Sequence, residues 1–407
     1  MARIGLGLSR HRRGPIGVPV TAPPPPPPPP AAPTGFTANG AANAALKAML
    51  TRVAAGTGRG RIVFKGDSTT AGAGGGDPTS TQQLGGARAN RTAAVLAARL
   101  SAAGYPALDN GVVGDNGNKA FVPLPVYDPR VTLGASSPWI ADGGQGFAGG
   151  NFLFSPGGGT FDFTPAVAVD RFEVVAFNVG GSYSFLVDGA APGTVAAPGA
   201  TIAGGGVSVP GGNAGFTRIT VTAAAAGIHS LRVTTSTAAA MRSVMAWANG
   251  TYAIDILNHA SNGATSADQA TAGSNWSNND SLAFDAPDLT IINLGLNDIG
   301  GQVAIAAYRT SLQTIVDTAR LSGDVLLVFP HPAGSQFAIN PAAYRDAAAA
   351  QAAASGVAFL SLFDYFGGAF TPALQARMAD GLVHGDAAFY AEVGEVYRQC
   401  IAVMAAP

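Results

Sequence analysis

Short apolar runs alternate with longer amphipathic ones along most of the chain. Residues 61–65 (RIVFK), 288–294 (DLTIINL), Asp324–Phe329 (DVLLVF) and 357–362 are apolar stretches of strand length. Residues 41–55, 87–103, 303–321, 341–354 and 386–404 have helical composition, with Val95, Leu96 and Leu100 on one face of the second. Strands that are apolar throughout, separated by helices, predict a three-layer α/β unit: a doubly wound parallel sheet with helices on both faces.

Residues 135–251 break this rhythm. Gly, Pro and Thr dominate there, and short alternating runs appear at 161–163, 171–177, 183–187, 216–221 and 229–234. Turn signals such as Asp188-Gly189 and Pro210-Gly211-Gly212 separate them. This pattern predicts an antiparallel β-sandwich without a long helix. The expected organisation is a Pro-rich tail over 1–38, an α/β domain made of 39–134 and 252–407, and a sandwich over 135–251 inserted into it. The unbroken proline run 23–30 must be extended polyproline II. It reads either as a stiff spacer tethering the folded part to a larger assembly or as an extension with no partner.

Composition narrows the function classes. The chain has 407 residues, 47% hydrophobic and 12% charged, enough for one large domain with an insertion. The formal net charge is −1 and no basic stripe is visible, so nucleic acid is not an expected partner. Cys400 is the single cysteine, which excludes an internal disulfide and a cysteine-based zinc site and leaves a small core hydrophobe. The opening MARIGLGLSRHRRGP has no long apolar core of a secretion signal, and no apolar run reaches membrane-spanning length. The compartment stays open, with an extracellular or phage-particle setting compatible.

Four segments carry candidate chemistry. Gly66-Asp67-Ser68 directly follows the strand at 61–65, and open parallel sheets build ligand sites at the C-terminal ends of their strands. Gly295-Leu296-Asn297-Asp298 follows the strand at 288–294, where an Asn amide could donate to a developing oxyanion or simply cap a helix. Asp380 precedes His384 just ahead of the last helix, and a carboxylate can hold an imidazole in the tautomer that accepts a serine proton. After the apolar run 252–257, Gly263 could offer a backbone N–H to the same oxyanion; Gly114 is a rival with similar local spacing. Of the other histidines, His259 and His331 also follow strands, His229 lies in the sandwich and His11 in the tail.

In this order, each at a strand end, the four segments resemble the SGNH hydrolases, the GDSL-type esterases and lipases. The resemblance covers roughly 60–110 and 252–400. It implies Ser68 as nucleophile, His384 as base, and an oxyanion hole made of the Ser68 and Gly263 N–H groups and the Asn297 side chain. It implies no cofactor and no metal. The last block has three residues between Asp380 and His384 where the family pattern has two, so either Asp380 or a backbone carbonyl orients the imidazole. The inserted sandwich gives a layout similar to peptidoglycan and polysaccharide O-acetylesterases. That layout implies an acylated carbohydrate or small ester as substrate, with acetyl as the expected acyl group. Two further readings are a non-enzymatic carbohydrate-binding or adhesive protein, and an O-acyltransferase using the same residues.

Overall fold

The computed structural model describes residues 31–75, 88–109, 111–113, 128–134, 140–143, 151–212, 215–272 and 278–406. Among these residues, seven strands make the main sheet: β1 (Phe36–Thr37), β2 (Gly60–Gly66), β3 (Ala107–Leu108), β4 (Ile254–Asn258), β5 (Leu289–Asn293), β6 (Asp324–Phe329) and β7 (Ala358–Ser361), in the spatial order β1-β7-β6-β5-β2-β4-β3. All neighbours are parallel except β1, which pairs antiparallel with β7.

The side-chain alternation of these strands builds the layers. Ile62 and Phe64, Leu289 and Ile291, and Leu326 and Val328 point to one face. There they pack against the helices Ala44–Ala54, Thr92–Ala102 and Ala387–Ala405. Val63, Ile292, Leu327 and Phe359 point to the other face, under the helices Ile305–Arg320 and Pro341–Ser355. A strand buried on both faces has no polar side to show, which is why its sequence reads as a continuous apolar run. Cys400 is fully buried in the first layer.

The chain between β3 and β4 forms two facing antiparallel sheets. One runs Thr201–Ala203, Gly206–Ser208, Ser182–Val187, Leu231–Thr235, Thr160–Phe163, Val131–Leu133. The other runs Thr194–Ala196, Phe216–Gly227, Val169–Phe177, Ala239–Trp247, Asn151–Ser155, Ile140–Gly143. Phe161, Phe163, Phe172, Phe185, Ile219 and Val233 fill the space between them.

Two boundaries differ from the sequence reading. The tail does not run to 38: Phe36 and Thr37 add an edge strand to the main sheet, opposite Leu360 and Phe359. A two-residue strand has no period to detect. The sandwich likewise gathers strands ahead of 135, since Val131–Leu133 pairs with Thr160–Phe163 and Val112–Val113 with Ala239–Trp247. The proline run 23–30 lies outside the described residues.

Candidate active site

The site forms at the C-terminal ends of β2, β4 and β5, three adjacent strands at the sheet's centre. From β2 the chain builds β3 and then β4 on one side, and it then crosses to the other side as β5. A crevice opens where strand order reverses in this way.

After Gly66 the backbone turns sharply. Asp67 caps the four-residue helix Ser68–Ala71, its Oδ1 accepting from Thr69 N at 2.9 Å and Thr69 Oγ1 at 2.7 Å. Burial pushes the Asp67 carboxyl up to about 6, against those two hydrogen bonds. Ser68 occupies the first helical position, where an N–H has no partner within the helix. Side chains ending the two flanking strands hold this short helix from both sides. Asn258 Nδ2 of β4 donates to Thr70 O at 2.9 Å, and Asn293 Nδ2 of β5 donates to Thr70 Oγ1 at 3.1 Å.

The imidazole arrives from the opposite end of the chain. His384 Nε2 lies 2.8 Å from Ser68 Oγ, across 316 residues of sequence. Its Nδ1 lies 2.7 Å from Asp380 Oδ2. A carboxylate, not a backbone carbonyl, therefore faces the back of the ring. The three-residue spacing works because the intervening chain is a tight turn through Gly381 at φ +71°. Asp380 Oδ1 accepts the N–H groups of Leu382 (2.9 Å), Val383 (2.8 Å) and His384 (3.1 Å), leaving Oδ2 for the ring. Burial opposes ionisation of Asp380, but the hydrogen bonds from His384 and the turn outweigh it and hold the carboxyl well below its usual range. With Nδ1–H donating to Asp380, Nε2 is the acceptor for the serine hydroxyl.

Ser68 and His384 approach closely because Gly74 lies between their segments. A Cβ there would meet His384 Cβ and Gly385 O, each at 2.8 Å, and its φ of +89° belongs to glycine.

Gly263 and Asn297 complete the rim. Together with Ser68, Asn262, Leu296, Phe337, Val383 and His384 they line a cleft of about 280 Å³. Asn297 Nδ2 donates to Ala264 O at 3.0 Å, which fixes the amide beside the glycine. Asp298, the next residue, accepts Ser266 N at 3.0 Å and Ser266 Oγ at 2.7 Å, pinning the Asn297 segment to the Gly263 segment. Gly114 lies outside the described residues.

The remaining described histidines do other work. His331 is buried, donates from Nε2 to Val383 O at 2.9 Å, and so supports the His384 turn. His259 is buried 2.9 Å from Asp285. His229 pairs with Asp188 in a sandwich turn at 2.6 Å. Among the described residues, no group of three or more His, Cys, Asp or Glu side chains is arranged to hold a metal ion, and no helix is long and apolar enough to cross a membrane.

Sequence reasoning passed over Asn258, Asn293, Asp298 and Gln269 as supporting groups. Gln269 Nε2 donates to Gly66 O at 2.9 Å, between the serine turn and the glycine loop. The available signal was an Asn closing each of two mostly apolar strands, since a buried amide needs partners.

Residues 222–392 match the sequence profile of the GDSL-like lipase/acylhydrolase family. The match begins within the sandwich strand Phe216–Gly227 and takes in Gly263, Asn297, Asp380 and His384, leaving Ser68 outside. No curated protein is significantly similar in sequence. Among solved structures, a peptidoglycan O-acetylesterase superposes with a TM-score of 0.63 at 19% identity, over 89% of this chain and 96% of that one. Coverage that wide includes the sandwich as well as the α/β domain. A Bacillus subtilis protein matches over 67% of this chain and 87% of that one, at 12% identity and a TM-score of 0.35. An acetyl xylan esterase from Geobacillus stearothermophilus matches over 37% and 73%, at 20% identity and a TM-score of 0.32. Neither of these two superposes well enough to add to the reading. Residues 222–392 thus resemble the GDSL-like lipase/acylhydrolase family, and the chain as a whole shares the fold of the peptidoglycan O-acetylesterase structure.

Proposed function

We propose that the protein is a serine esterase that removes O-acetyl groups from a polysaccharide or peptidoglycan through an acyl-enzyme. The observation that carries this reading is the hydrogen-bonded line Ser68 Oγ–His384 Nε2, His384 Nδ1–Asp380 Oδ2, at 2.8 and 2.7 Å, opening on a cleft. Such a line activates a hydroxyl that is otherwise a weak nucleophile. The catalytic domain comprises the segments on either side of the sandwich.

The steps follow from these positions. Ser68 Oγ attacks the ester carbonyl carbon as its proton passes to His384 Nε2. The carbonyl oxygen takes up the electron pair and receives the Ser68 and Gly263 N–H groups and the Asn297 amide. The tetrahedral centre collapses, the C–O bond to the sugar breaks, and His384 returns its proton to the departing alkoxide. Water then attacks the acyl-Ser68 ester with His384 again as base, releasing acetate and the free serine. Asp380 keeps the imidazole in the accepting tautomer throughout and stabilises the imidazolium that forms at each transfer.

Two features support the substrate class. The cleft is small, about 280 Å³, and its lining combines the apolar Leu296, Phe337 and Val383 with the polar Asn262 and Asn297. The whole-chain likeness to a peptidoglycan O-acetylesterase extends through the sandwich. The test is acetate release from O-acetylated peptidoglycan and from an O-acetylated polysaccharide, beside p-nitrophenyl acetate, for the wild type and Ser68→Ala. Release by the wild type alone is the expected result. Equal inertness of both proteins with retained glycan binding would replace the reading by a binding protein. Acetyl appearing on an added acceptor sugar instead of as free acetate would make it a transferase.

A further inference from the structure

The sandwich and the α/β domain meet through a buried ionic cluster that the chemistry above does not use. Arg242, on sandwich strand Ala239–Trp247, is 1% exposed, and its Nη2 donates to Asp285 Oδ1 at 2.7 Å. Its guanidinium lies against two rings, Phe216 at 5.1 Å and Phe284 at 5.3 Å. Asp285 ends the helix Asn278–Asp285 of the α/β domain, and its Oδ2 lies 2.9 Å from His259 Nε2. Arg61 of β2 donates to Asp285 O at 2.7 Å. Lys65 of β2 is fully buried within the electrostatic reach of Asp285 and Arg242.

His259 is the first residue of the loop that leads to Gly263. Its N–H donates to Phe64 O at 2.8 Å, and Ser261 N donates to Gly66 O at 3.0 Å, beside the serine turn. Ala260 N donates to Asn258 Oδ1 at 3.0 Å, on the same amide that holds Thr70 O. These bonds hold the start of the loop, and the ring adds its contact with Asp285. Asp285 Oδ2 faces the ring's Nε2, and Arg242 holds Asp285 from the sandwich.

We infer that Arg242 is a positioning residue for the oxyanion loop, acting through Asp285 and His259, so that the sandwich is a working part of the active site. This inference rests on the esterase reading for its kinetic consequence and on geometry alone for its structural one. An oxyanion donor contributes mainly in the transition state, and losing one outright costs about 10²–10³ in rate. A loop displaced by a fraction of a bond length loses part of that.

The experiment uses the full chain and three forms: wild type, Arg242→Met, and Arg242→Lys, which keeps the charge should the first fail to fold. Hydrogen exchange of the 259–264 segment and steady-state kinetics on p-nitrophenyl acetate are read together. The expected result is faster exchange in that segment relative to β7, with kcat lower by about 10- to 100-fold and KM within about twofold. Arg242→Lys is expected to fall between wild type and Arg242→Met. Unchanged exchange at 259–264 in a folded variant overturns the inference whether or not the wild type is an esterase. Faster exchange with unchanged kcat overturns the kinetic half. An inactive wild type with the exchange difference intact contradicts the esterase reading and leaves the loop anchoring supported.

Discussion

Replacing Asp380 with Asn exchanges a carboxylate oxygen for an amide nitrogen behind the His384 ring. In the native turn, Oδ1 accepts three backbone N–H groups and Oδ2 accepts His384 Nδ1–H. The Asn side chain keeps its oxygen for the three N–H groups, because turning it around would leave them facing an NH₂. The amide nitrogen then faces His384 and donates to Nδ1. The ring proton moves to Nε2, where it points at Ser68 Oγ, and the imidazole can no longer accept from the hydroxyl. A wrong tautomer of this kind costs about 10²–10⁴ in kcat, or about 3–5 kcal/mol of transition-state stabilisation at about 1.36 kcal/mol per decade. The fold should suffer far less, since the turn keeps its backbone hydrogen bonds. The sign with pH follows from the depressed carboxyl. A group held below its unfolded value contributes stability above that value and loses it as pH falls through the folded one. The native Asp380 interaction therefore persists from neutral pH down to about 4 and is lost below that. The assay is kcat on p-nitrophenyl acetate between about pH 5 and 9, with the melting temperature as control. A folded Asp380→Asn variant with wild-type kcat would refute the orienting role and return the task to a backbone group.

Further predictions concern the rim, the close-packed Gly74, the buried cluster and acid stability. Asn297→Ala should lower kcat by about 10²–10³ with a small change in KM, and a pure KM effect would place the amide in ground-state binding instead. Gly74→Ala should lower both melting temperature and kcat, because its Cβ would lie 2.8 Å from His384 Cβ and a positive φ adds about 1 kcal/mol or more; a fully stable, fully active variant would contradict the packing. Arg242→Met should cost about 3–5 kcal/mol by leaving buried Asp285 without its guanidinium. Adding Asp285→Asn should recover part of that loss in urea titrations. His259 and His331 are pushed down to about 4 by burial, against an unfolded value of about 6.5. The unfolded chain thus binds more protons between those two values. Stability should fall as pH drops from about 6.5 to 4, by up to about 1.4 kcal/mol per pH unit per histidine. Urea midpoints that stay flat over that range would contradict the buried neutral rings.

The α/β layers were legible because burial on both faces makes β2, β5, β6 and β7 mostly apolar, and their flanking Gly and Asn mark the turns. The sandwich was legible wherever one face stays wet, as in Ser182–Val187 with its alternating burial. Strand Ala239–Trp247 was not, because it is buried nearly along its whole length and carries Arg242 and Ser243 inside. An arginine within an apolar run reads as a surface position until its partner is known. That partner, Asp285, belongs to another domain, so no local pattern connects them. Edge strand Phe36–Thr37 escaped for a different reason: two residues cannot show a period, and their strand state comes from pairing with β7. At the site, motifs placed Ser68 and Asn297 at strand ends and His384 ahead of the last helix, but their convergence and the supporting Asn258 and Asn293 depend on which strands lie side by side.

A serine-directed fluorophosphonate, followed by peptide mapping, tests the central claim most directly. The account predicts one covalent adduct per chain, on the peptide containing Ser68, absent from Ser68→Ala and strongly slowed in His384→Ala. An adduct on another residue, or no adduct on a folded protein, would contradict it.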